Sequence, residues 1–174
     1  MKLTNPENRK HIIVGDNEQI SVHLEDFDTG SRAFTLEVAL KGENAHCTIE
    51  GRVQAMKKDT KQWNVVMKFE GANQTGIIEL HGTAEDEAKL ELNGTAVLKK
   101  ESTQATAQVR EKIILFGNAE GKALPVLTVQ TDNVKSASHS ASVAPLSDEQ
   151  ILYLQSRGIG KKEAQEVLKE GFLK

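Results

Sequence analysis

The 174-residue sequence has a single cysteine, Cys47, so no disulfide can close within the chain and a disulfide-stapled secreted domain is excluded. Aromatic residues make up only 4% and prolines number three. A core must therefore be built from Val, Ile, Leu, Ala and Thr. No stretch approaches the ~18 apolar residues that cross a bilayer as a helix, and Met1 to Lys10 lacks the apolar centre of a secretory signal. The expectation is a cytoplasmic protein with no membrane partner, in which the Asn73 and Asn93 triplets are not glycan acceptors. An excess of positive charge is also missing: 22 Lys and Arg stand against 25 Asp and Glu, a net −3. No overall field draws in phosphate backbones or anionic membranes, which makes nucleic acid an unlikely partner.

What is present is β pattern. From His11 to about Val143, short apolar alternations are separated by Gly, Asn and charge, and hardly any stretch holds a helical period. Ile12–Val14, Ile20–Leu24, Phe34–Leu40, Cys47–Val53, Trp63–Phe69, Ile77–Leu80, Leu90–Leu92, Ile113–Phe116 and Val126–Val129 read as strands. Glu79-Leu80-His81-Gly82-Thr83-Ala84 returns twelve residues later as Glu91-Leu92-Asn93-Gly94-Thr95-Ala96, and Gly94 to Gly117 is 23 residues, about twice that step. Such spacing fits one flattened solenoid turn with a strand on each of two sheets, and it also fits a meander of hairpins in a sandwich. Scarce aromatics and plentiful aliphatics favour stacked ladders in a narrow solenoid.

The last thirty residues differ. Ser147 with Gln150 three residues on forms a capping-box pattern, and Asp148 and Glu149 suit the positive end of a helix dipole. Gly158 is placed to end that helix, and a second from Lys161 carries Ala164, Val167, Leu168 and Phe172 on one face. The expected organisation is a β body over 10–145 and a helical hairpin over 146–174.

Leu124-Pro125-Val126-Leu127-Thr128-Val129, then Val134-Lys135, then Ser138-His139-Ser140-Ala141-Ser142-Val143, then Asp148 to Ile159 with its Tyr153-Leu154-Gln155-Ser156-Arg157-Gly158-Ile159 end, resemble the carboxy-terminal signature of the SufB/SufD iron–sulfur assembly family. The signature combines an extended Pro-containing strand, a His-x-Ala turn and a YLxSRGI helix end. Trp63 through Gly117 can be laid along the family's β-helix core by strand rhythm. The resemblance implies a mainly β fold, a right-handed parallel β-helix followed by a short helical hairpin. It also implies a non-enzymatic scaffold acting through protein contacts, with a SufC-like ATPase and a SufB-like or self partner. A homodimer or hetero-complex is expected, since an open solenoid must hide its terminal backbone edges.

Several features depart from the family pattern. Its long amino-terminal portion is absent, the helical tail stops early at Lys174, and Ala144 stands where a glycine is common. Val134 to His139 is one residue longer than in typical SufD proteins, a length a bulge can absorb. The cysteine of SufB proteins has no counterpart in Arg110-Glu111-Lys112-Ile113-Ile114-Leu115-Phe116-Gly117, so the resemblance is to the SufD side or to a divergent relative that has lost cluster chemistry.

Iron–sulfur clusters are usually held by several thiolates, which one cysteine cannot supply. Any cluster is then expected to be transient, at an oligomer interface. His46 and Cys47 are adjacent, but neighbours on a strand point to opposite faces; Cys47 is a weak metal candidate and reads better as a buried small residue. His139 falls on the position of a SufD-type histidine that the resemblance places near the SufB–SufD interface and in cluster formation. Imidazole ligates iron and relays protons. Alternation sets Ala137, His139, Ala141 and Val143 on one face, which equally suits a structural histidine. The resemblance assigns partner binding to the hairpin, at Tyr153, Arg157 and Gly158. The serines around His139 lack a nucleophile elbow, so a hydrolase is not indicated. The alternative function is nucleic-acid binding by a helix-hairpin-helix-like turn at Gly158 to Lys162, where backbone N–H groups and two lysines could face a phosphate.

Overall fold

The computed structural model describes residues 1–173. Its twelve strands form two parallel sheets that face each other across a filled lumen. Sheet A runs in the order β1 (Lys2–Thr4), β3 (Gln19–Asp26), β5 (His46–Ala55), β7 (Thr75–Ala84), β9 (Ala105–Leu115), β12 (Val134–Pro145). Sheet B stacks β2 (Asn8–Val14), β4 (Arg32–Leu40), β6 (Thr60–Phe69), β8 (Lys89–Leu98) and β10 (Glu120–Ala123), with β11 (Val126–Val129) also on β8. Successive strands alternate between sheets through most of the chain, giving a β-solenoid of about five turns. The mainly β, parallel β-helix expected from the resemblance is what this chain forms.

The turn length differs from the sequence estimate. A full turn takes 29 residues in the middle of the stack (His46 to Thr75, Thr60 to Lys89), 27 before it (Gln19 to His46) and 31 after it (Thr75 to Thr106, Lys89 to Glu120), rather than 23 or 24. The twelve-residue echo lies on opposite sheets, Glu79–Ala84 in β7 and Glu91–Ala96 in β8, at unequal positions along their strands. It is not the structural repeat.

Period-two alternation builds the lumen. Along β6 every second residue from Lys61 to Phe69 is buried, and paired residues of a parallel sheet face the same way. Ladders such as Phe34–Trp63–Leu92 and Leu40–Phe69–Leu98 therefore run along sheet B. Bulk on one sheet is met by its absence on the other: a Cβ at Gly51 would come within 2.7 Å of the Trp63 ring. One corner is turned by Asn17, Asn44, Asn73 and Gln104, with φ of 56, 56, 55 and 53°. The other uses Lys57, Asp86 and Gly117 at 61, 61 and 68°. Asn is among the few side-chain-bearing residues that adopt this left-handed conformation readily, because its amide can bond locally. Here the amides also bond between turns, Asn44 Nδ2 to Asn17 Oδ1 at 3.0 Å.

The tail is helical: α1 spans Asp148–Ser156 and α2 Lys161–Leu173. Ser147 caps α1 by accepting from the Gln150 N–H. The helix closes in a Schellman turn, with Gly158 N–H on Gln155 O at 2.9 Å, Ile159 N–H on Leu154 O at 3.2 Å, and Gly158 at φ 87°. Ala164 is buried as expected, but Val167 is exposed; Lys169 takes the inward place and pairs with Glu85 at 3.0 Å. Phe172 stacks on His81 of β7, centroids 5.1 Å apart, which fixes α2 to the outer face of sheet A.

Candidate functional site

The last turn leaves the solenoid open. β12 pairs only with β9, so its other edge is bare, and no further sheet-B strand covers its inward face. Register carries the lumen ladders onto it: Ala137 follows Ala107, His139 follows Val109, Ala141 follows Glu111 and Val143 follows Ile113. Opposite, on the last turn of sheet B, Gly121, Ala123, Leu127 and Val129 continue the ladders of Leu90, Leu92, Ala96 and Leu98. The mouth is thus a slot of small and apolar residues, partly or wholly exposed, with His139 as its one polar side chain.

His139 lies within the strand, so the His-x-Ala turn expected from the sequence is extended chain instead. The extra residue before it is absorbed by a register shift between Val134 and Ser136. The Pro-containing strand is interrupted as well: Leu124–Pro125 separates β10 from β11. Across the mouth His139 Nδ1 lies 3.2 Å from the Pro125 carbonyl oxygen. A carbonyl only accepts, so Nδ1 carries a proton, and the tautomer this selects in a neutral ring has its Nε2 lone pair available to a ligand.

One turn below, Glu111 points into the lumen and is 1% exposed. Its Oε1 accepts from the Gly94 N–H of β8. Burial pushes its pKa up to about 7, opposed by the Gly94 and Leu124 N–H groups, which favour the ionised form. In the sequence Glu111 stands between Arg110 and Lys112, a charged triplet that does not by itself mark an inward side chain. Its parity with Val109 and Ile113 was the available signal.

Cys47 is fully buried, and burial raises its thiol pKa to about 11. Its neighbour His46 has Nε2 at 3.2 Å from Thr48 Oγ1. No group of three or more His, Cys, Asp or Glu side chains able to hold a metal occurs among the described residues. A cluster handled by this chain would be cargo, and His139 offers it one donor. On the hairpin, Tyr153 is 60% exposed, with the Arg157 guanidinium 5.4 Å from its ring centre. Tyr153, Leu154 and Leu168 line a shallow apolar groove between the helices. The Gly158 turn is accounted for by the Schellman closure, and among the described residues no helix is long and apolar enough to cross a membrane.

A parallel solenoid with an open, histidine-bearing mouth and a helical hairpin docked on its flank defines a β-helix class of protein. The model of the SUF system FeS cluster assembly, SufBD core domain, matches residues 7–172, and the chain belongs to that family. It is 27% identical over 172 residues to the iron–sulfur cluster assembly protein SufD of Bacillus subtilis, covering 98% of this chain and 39% of the relative. To SufD of Escherichia coli it is 33% identical over 135 residues, 74% of this chain and 30% of that one. A SufBD family protein of Methanocaldococcus jannaschii is 27% identical over 156 residues, 87% and 48%. The chain spans less than half the length of these curated relatives.

Proposed function

We propose that this chain is a SufD-like scaffold in iron–sulfur cluster assembly, acting through protein contacts rather than catalysis. The observation that carries the reading is His139, held at the solenoid mouth by its Nδ1 contact and belonging to no group of three or more metal-ligating side chains among the described residues. One imidazole cannot hold a cluster, so the remaining ligands come from a partner seated on the mouth. The bare β12 edge suits a SufB-like chain or a second copy of this one. The exposed Tyr153, Arg157 and Gly158 end of the hairpin is then the face for a SufC-like ATPase, and a reducing cytoplasm is the compartment where such cargo survives.

The test is anaerobic iron and sulfide reconstitution of the chain with SufB-like and SufC-like partners, followed by visible absorbance. Wild type should support a cluster chromophore and His139→Ala should lose most of it. Equal chromophore in both would remove the reading. Light scattering on the isolated chain separates a self-dimer from a monomer that needs a different partner.

A further inference from the structure

Between β10 and β11 the ladder on β8 is broken without loss of register. Ala123 pairs with Leu92 and Val126 with Thr95, so Leu124 and Pro125 lie over Asn93 and Gly94. The Leu124 N–H still reaches Leu92 O at 2.9 Å. In a continuous parallel ladder the next bond would run from the Gly94 N–H to the Leu124 carbonyl. Here the Gly94 N–H is taken by Glu111 Oε1, and Pro125 has no N–H to offer. The carboxylate thus occupies the bond that would flatten this segment onto β8, and the carbonyl of the displaced segment is the one that meets His139.

We infer that Glu111 is a positioning residue for His139: by taking the Gly94 amide it holds the Leu124–Pro125 break open and aims the Pro125 carbonyl at the imidazole Nδ1. This deepens the reading of His139 as the working group of the mouth and rests on it. Gly94 is part of the device, because a Cβ there would stand 2.8 Å from Glu111 Oε1. The consequence is chemical: the imidazole is delivered with Nε2 unprotonated, instead of with the Nε2–H tautomer that an unrestrained ring prefers.

The test reads the tautomer directly, by long-range proton–nitrogen correlation of the histidine rings in the isolated, nitrogen-15-labelled chain, with His139→Asn to assign the signal. Wild type and Glu111→Gln, which keeps an acceptor oxygen at the same reach, should show Nδ1–H at His139. Glu111→Asp, too short to reach Gly94, should lower the ratio of Nδ1–H to Nε2–H roughly five- to tenfold, the worth of one ordinary hydrogen bond. The other four histidines serve as controls. If Glu111→Asp fails to fold, Gly94→Ala pushes the carboxylate off the same amide and should give the same change. A folded Glu111→Asp or Gly94→Ala chain with the wild-type His139 pattern overturns the inference. Failure of reconstitution with His139→Ala bears on the scaffold reading alone, since the tautomer is measured without partners.

Discussion

Lys61 of β6 and Asp26 of β3 meet at 2.6 Å with both side chains fully shielded from water. The ammonium also donates to the Asp28 carbonyl at 2.7 Å, and Arg32 Nε stands 3.6 Å from the other Asp26 oxygen. Burial lowers the Lys61 pKa, against the Asp26 bond that raises it. Lys61→Met leaves a buried carboxylate with only Arg32 near it, and should cost about 3–5 kcal/mol in urea unfolding. The double variant with Asp26→Leu should recover much of the loss, because the desolvated charges are removed together.

The Glu111 carboxyl titrates higher folded, at about 7, than the usual unfolded carboxylate, so the native state holds the extra proton between those values. Its contribution is fully present below the unfolded pKa and is lost as pH rises through about 7, an effect on the order of 3 kcal/mol. Glu111→Gln removes this dependence. Unfolding midpoints measured from about pH 5 to about pH 8 should show wild type losing ground to Glu111→Gln as pH rises.

Gly51 faces the Trp63 ring and Leu80 Cδ2, which an added Cβ would approach to 2.7 and 2.6 Å. Gly51→Ala should destabilise by about 1–3 kcal/mol through overpacking, read as a lower urea midpoint with unchanged slope.

His81 is held below the ordinary histidine pKa first by burial and then by Arg52 and Lys112, while Glu79 at 3.4 Å and the Phe172 backbone pull the other way. A base depressed in the folded state contributes stability above its unfolded pKa and loses it as pH falls through the folded value. Acidification should therefore loosen α2, seen as faster amide exchange in Lys161–Leu173 after correction for intrinsic rates. Phe172→Ala should do the same at neutral pH while β4 to β8 stay protected.

The buried Cys47 thiol should react with a disulfide reagent only when the chain unfolds, giving one slow phase at the rate of global opening. Fast labelling of the native chain would contradict its placement in the lumen.

Strand parity was the readable part of this fold. The alternation in Trp63–Phe69 or Cys47–Val53 fixes which side chains face inward, whatever the partner strand. Turn length was not readable, because strands of about ten residues and variable corners give no sharp sequence period, and a chance echo between β7 and β8 imitated one. β1, β10 and β12 escaped the strand list because the chain ends of the stack are short or exposed, so burial does not mark them. His139 was legible through the family signature, and its face through alternation. Its contact with Pro125 and the role of Glu111 depend on which strands become neighbours across 14 and 17 residues, which no local pattern encodes.

The two left-handed corners recur along the stack, Asn44 above Asn17 and Asp86 above Lys57, and these pairs bond from one coil to the next. Such a stack is modular in whole coils: a deletion of 46–74 would bring one strand pair into the register of the next, leaving the mouth and both corners in place. Length in this architecture is therefore a quantity that can change by one central unit of 29 residues without redesigning the end that carries His139.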